Sequence, residues 1–132
     1  MNDDPTTDPS LPILYWYTRA QALEDGVLVD VSAAARETGF RYPVALTRAA
    51  WALCVALTPA AMCAGNDERG RLHDLLWMLR CAVARSRGDR DIAFELLCVT
   101  TRIRPMRVPL RCVIGPGDAG EPVLTVMMPG ES

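Results

Sequence analysis

Only one side chain among the 132 residues, the imidazole of His73, titrates near neutral pH when unperturbed. It sits in the run Leu72-His73-Asp74-Leu75-Leu76-Trp77, with a carboxylate beside it and an indole one helical turn on. A histidine becomes a general base when a positioned partner orients it. Beside a tryptophan in a helix the structural role is the stronger expectation, a partly buried ring stacked on Trp77. A lone histidine also precludes a multi-histidine metal site, and no serine stands in the G-x-S-x-G turn of a serine hydrolase. The acids Glu24, Asp25 and Asp30 flank an apolar run and suit solvated or capping roles better than cation binding, because neighbours at i and i+1 diverge on a helix. Neither a catalytic residue nor a metal or cofactor is expected.

Charge is concentrated late in the chain. Arg102, Arg104, Arg107 and Arg111 fall in a stretch with no acid between Glu95 and Asp118. If Pro105 breaks the strand between them, the four can reach one face or edge and bind phosphates, a sulfate or an acidic partner. The competing reading is an edge strand protected from pairing by its charges and by Pro105 and Pro109. Interleaved aromatics for base stacking are absent from the stretch, so nucleic-acid or nucleotide binding ranks second to protein interaction. A second small contact patch is expected at Arg41, Tyr42 and Arg48, around the turn Gly39-Phe40-Arg41-Tyr42-Pro43. The segment Gly115 to Gly120 lacks the lysine and following helix of a phosphate loop and reads as a hairpin turn.

Composition narrows the class further. Half the residues are hydrophobic, 23% are charged, and the net charge is -2, which fits one folded domain with no overall attraction to nucleic acid or anionic membrane. All fourteen basic residues are arginine, for which a GC-rich coding sequence is the plainest cause. The five cysteines, at 54, 63, 81, 98 and 112, are odd in number and widely spaced, which argues against a disulfide framework or a zinc site and for a reducing cytoplasm. Residues 1–12, with three aspartates and three prolines, are expected to be a disordered lead, unlike a signal peptide, to a single domain over 13–132. No apolar run approaches the roughly 18–20 residues of a membrane helix.

The positioning elements follow from caps and periods. Thr18 with Gln21 forms a capping box for a first helix that stops at Gly26. Residues 27–31 (VLVDV) read as a strand, and a second short helix opens at Ser32 and closes at Gly39. Pro43 suits the first position of a third helix running to Thr58-Pro59, and AAMCAGNDERG is read as a connection. Asn66 or Asp67 caps the longest helix, about 68–87, whose Leu72, Leu75, Leu76, Leu79 and Val83 face the core. Three strands follow (IAFELLCVT, RVPLRCVIG, PVLTVMM). The expected fold is α+β, with the helical first two-thirds packed on a three-stranded antiparallel sheet that residues 27–31 can join.

Several of these residues also carry a resemblance. Tyr17-Thr18-Arg19, the run Glu24 to Val31, Ala35 to Phe40, Pro43 to Thr47 and Trp51 resemble small bacterial proteins labelled "plasmid-related protein", a domain of unknown function carried on plasmids and other mobile elements. The resemblance implies a mobile-element accessory protein acting in the cytoplasm, and it assigns no catalytic residue. The resulting expectation is a non-enzymatic protein-interaction module, self-associating or binding another protein, with the countering of a host defence as one role.

Overall fold

Thr18 begins the first helix by closing its own capping box: its hydroxyl accepts from the Gln21 amide at 3.0 Å, while the Gln21 side chain accepts from the Thr18 amide at 2.9 Å. The computed structural model describes residues 18–131, so the lead expected at 1–12 lies outside the described residues. Helix α1 spans Arg19–Glu24, β1 Leu28–Asp30 and α2 Ser32–Thr38. At the entrance to α2, Asp30 accepts from both the amide (3.1 Å) and the hydroxyl (2.6 Å) of Ser32, so this acid supports a helix start, as expected. Gly39, at φ 107°, ends α2 in the left-handed region, a conformation that L side chains rarely adopt.

The next segment departs from the expectation. Val44–Thr47 is strand β2, and the helix α3 begins only at Arg48, running to Cys54. Val44, Ala45 and Leu46 are all buried, so both faces of β2 are covered. A strand buried on both faces is a continuous apolar run, and periodicity cannot tell it from a buried helix. Thr47 then caps α3, accepting from the Ala50 amide at 3.3 Å. The expected connection after it also holds a helix: Thr58 caps α4 (Pro59–Cys63), with Pro59 at its first position. Asp67 caps the long α5 (Glu68–Arg85), accepting from the Gly70 amide at 2.7 Å.

Strands β3 (Asp91–Cys98), β4 (Met106–Pro116) and β5 (Pro122–Met127) form the expected antiparallel set. The sheet is nevertheless five-stranded and mixed, in the order β1-β2-β5-β4-β3, with β2 parallel to β5 and antiparallel to β1. The expected separation into a helical two-thirds and a three-stranded remainder is therefore corrected: β1 and β2 come from the first part of the chain and extend the sheet beyond β5. Val44, Leu46, Phe94, Leu96, Val108, Leu110, Leu124 and Val126 share a core with Leu75, Leu76 and Leu79 of α5. Leu72 and Val83 flank that core half-buried.

Helix α1 reaches the strands from the alternating side. The Arg19 guanidinium donates to the Thr125 hydroxyl (2.7 Å) and the Leu124 carbonyl (3.0 Å). Asp118, from the β4–β5 turn, accepts from the backbone amides of Arg19 (2.8 Å) and Ala20 (2.9 Å), a second cap on α1 supplied from far along the chain.

Pro109 sits inside β4 without breaking the ladder, and the geometry says why. Ile114 donates its amide to the Arg90 carbonyl, so the even-numbered residues of β4 bond toward β3 and the odd-numbered ones toward β5. Pairing with β5 begins at Arg111↔Met127, so the nitrogen of Pro109 points past the end of β5, where no ladder bond is lost.

Candidate functional site

The arginine stretch separates into two parts. Arg102 and Arg104 lie exposed in the connection between β3 and β4, whereas Arg107 and Arg111 lie on β4. On β4 the pattern alternates, with Val108, Leu110 and Cys112 buried and Arg107, Pro109 and Arg111 on the opposite face. That face also carries Asp91, Ala93, Glu95 and Leu97 of β3.

Arg111 meets Asp91 across the diagonal of the ladder with two hydrogen bonds, Nε to Oδ1 and Nη2 to Oδ2, each 2.7 Å. Its remaining Nη1 donates to the Glu131 carbonyl at 3.0 Å. The bond from Arg111 holds the Asp91 carboxyl below the usual carboxylate range, and the same bond raises the Arg111 pKa. Arg107 stands in the same diagonal relation to Glu95, at 3.8 Å. Two of the four arginines thus neutralise acids of their own sheet. Arg107 and Arg111 share one face of β4, which is an interior strand for Arg111 to Pro116 and borders β3 alone only in its first half.

The second expected patch is also divided. Arg41 and Tyr42 lie exposed between α2 and β2, while Arg48 begins α3 at the other end of β2. Phe40 packs against the core, whereas Tyr42 is half exposed. His73 differs from expectation as well. Its side chain is 66% exposed, its Nδ1 lies 3.9 Å from Asp74 Oδ1, and it is Arg80 whose guanidinium stands over the Trp77 ring, 5.5 Å from the centroid. The reason is the helix phase: Arg71, Leu75, Leu79 and Ala82 hold the buried stripe of α5, and His73 falls outside it.

His73 borders two open clefts. One, of about 670 Å³, runs between α2 and the first half of α5, past Glu37, Thr38, Asp67 and Arg69. The other, of about 400 Å³, is more apolar and lies between α5 and β3, walled by Trp77, Met78, Leu96 and Leu97. The second cleft opens onto the edge of the sheet. Because the even-numbered residues of β3 bond to β4, the backbone amides and carbonyls of Asp91, Ala93, Glu95 and Leu97 point outward, and no described strand pairs with them. Around this edge Trp77 (48%), Leu97 (63%), Ile103 (61%) and Met106 (49%) are exposed large apolar side chains. Edge strands are commonly blunted by free charge. Here both acids of β3 have arginine partners on β4, and apolar side chains stand beside them along the edge.

One residue that sequence reasoning missed joins the segments behind this edge. Arg71, 4% exposed, donates Nε to the Val55 carbonyl (3.1 Å), Nη1 to Val99 (2.7 Å) and Nη2 to Leu53 (3.1 Å). Its signal was present as an arginine four residues before Leu75 on the apolar stripe. Among the described residues no group of three or more histidine, cysteine or acidic side chains is placed to hold a metal ion, and no helix is long and apolar enough to cross a membrane.

No curated protein and no solved structure matches the chain. A family model does, over residues 9–132, nearly the whole length. The chain belongs to the family of unknown function DUF6573.

Proposed function

We propose that this chain is a non-catalytic protein-interaction module whose binding element is the outer edge of β3, and that the first partner of that edge is a second copy of the same chain. The observation that carries the reading is the row of outward-pointing backbone groups at Asp91, Ala93, Glu95 and Leu97, beside exposed Trp77, Met78 and Met106. An extended strand added there gains main-chain hydrogen bonds along the edge and covers apolar side chains along its flank.

The acids select the register. In a twofold antiparallel pairing centred on Phe94, Asp91 faces Leu97 of the second copy and Ala93 faces Glu95, so no carboxylates meet. Centring on Glu95 sets two carboxylates opposite each other, and centring on Ala93 sets Asp91 against Glu95. The same twofold brings the Trp77 and Met78 flanks of two α5 helices toward one another. As an accessory protein of a mobile element, the role that the resemblance in residues 15–51 supports, the module would act in the cytoplasm, where its five cysteines stay reduced.

Sedimentation equilibrium over a range of concentrations tests the reading. A dimer is expected for the native chain, and Leu97→Lys should shift it to monomer with unchanged circular dichroism. A native chain that stays monomeric up to about 100 μM removes the reading. Retention on DNA or RNA at low salt, lost on R102A/R104A, would move the function to the β3–β4 connection instead.

A further inference from the structure

Behind the sheet edge, two cysteines far apart in sequence are held side by side. Cys54 ends α3 and Cys98 ends β3, and the one guanidinium of Arg71 binds the carbonyls of both neighbours of Cys54 (Leu53 and Val55) and of the residue after Cys98 (Val99). Thr58 ties the same two segments again, its hydroxyl donating to the Thr100 carbonyl at 2.8 Å. Within this frame each thiol is the chief influence on the other's titration. Their environments differ. Cys54 is fully buried, while Cys98 is half-buried beside the core.

That asymmetry divides the labour of an oxidation. The Cys54 side chain draws the Cys98 thiol down to about 7 against its partial burial, with the Arg71 charge assisting. The Cys54 thiol is shifted the opposite way, chiefly by Cys98 and by burial. A reactive cysteine is one whose thiolate is populated and reachable, and a neighbour that can condense with its oxidised form completes a disulfide-forming pair.

We propose that Cys54 and Cys98 form a peroxide-responsive dithiol site, with Cys98 attacking and Cys54 resolving. The Cys98 thiolate attacks one peroxide oxygen, the O–O bond breaks, and the departing hydroxide takes up a proton as water, leaving a sulfenic acid on Cys98. The Cys54 sulfur then attacks the sulfenic sulfur; the S–O bond breaks, and hydroxide leaves with the Cys54 proton as a second water. Two thiols lose two electrons, and one hydrogen peroxide becomes two waters. Arg71 and Thr58 already hold the two segments together, and the bridge, with an S–S bond of about 2.05 Å, ties the end of α3 to the end of β3. The proposal is independent of how the β3 edge is used.

The test treats the full, reduced chain with stoichiometric hydrogen peroxide, blocks the remaining thiols with an alkylating agent, and digests it without reductant. The expected product is a peptide pair joined through Cys54 and Cys98, two hydrogens lighter than the free peptides and released by dithiothreitol. In Cys54→Ala, whose small apolar side chain suits the buried position, a dimedone adduct should accumulate on Cys98 instead. In Cys98→Ser neither product should form. Absence of the joined pair in the native chain overturns the proposal, including the outcome in which oxidation is confined to exposed Cys63. Equal dimedone labelling of Cys81 and Cys98 in Cys54→Ala would overturn the assignment of Cys98 as the attacking thiol.

Discussion

Arg111 and Asp91 are joined by two parallel hydrogen bonds of 2.7 Å across the diagonal of the β3–β4 ladder. This fork-to-fork geometry is the one in which arginine, unlike lysine, matches both carboxylate oxygens. Arg107 repeats the diagonal toward Glu95 at the looser distance of 3.8 Å. A cluster that reads in sequence as unopposed positive charge is thus half consumed inside the sheet, and what it leaves on the outer strand is an apolar, hydrogen-bonding edge.

This pair sets an acid-side response. The Arg111 bond holds Asp91 below its ordinary value of 3.8. A carboxyl with a lower pKa in the folded than in the unfolded state contributes stability that is present above the unfolded value and lost as pH falls through the folded one. Urea midpoints of the native chain and Asp91→Asn should therefore differ by a constant amount above about pH 5 and converge below about pH 4. A gap that persists unchanged into the acid range would show that the pair does not govern this response.

Arg71 should matter more, because its partners are buried. Arg71→Met keeps the length of the side chain but removes the donors to Leu53, Val55 and Val99. A buried acceptor left unsatisfied costs about 1–3 kcal/mol, so a loss of about 3 kcal/mol or more is expected in urea unfolding. A loss below about 1 kcal/mol would mean that these carbonyls find other partners.

Asp118 caps α1 from the β4–β5 turn. Asp118→Ala should cost about 1 kcal/mol, the usual worth of a helix cap, and Asp118→Asn less. Amide hydrogen exchange localises the effect: α1 should exchange faster while α5 keeps its protection. Unchanged exchange in α1 would show that Thr18 and Gln21 suffice.

The thiols should be alkylated in a set order. Cys63 is exposed and should react with iodoacetamide well before Cys112, as followed by mass spectrometry. Cys112 is fully buried, and burial pushes its thiol up to about 12. It should react only at the rate of unfolding. Labelling of Cys112 as fast as Cys63 under native conditions would contradict its placement in the core.

What the sequence by itself determined is local. The capping box at Thr18 and Gln21, the stop at Gly39, the cap at Asp67 (one of two residues expected there) and the Leu75, Leu76 and Leu79 part of the α5 stripe depend on residues within about one helical turn and stand where sequence reasoning put them. The strands after α5 were legible for the same reason, since alternation between two faces is written residue by residue. Tertiary structure decided the rest. Val44–Thr47 became a strand because β1 and β5 pair with both of its edges, a context that propensity does not carry. Arg111 found Asp91, Arg71 found the carbonyls around Cys54 and Cys98, and Asp118 found the start of α1 only once the chain had closed on itself. Those contacts join residues far apart in sequence, and their geometry exists only in the assembled sheet.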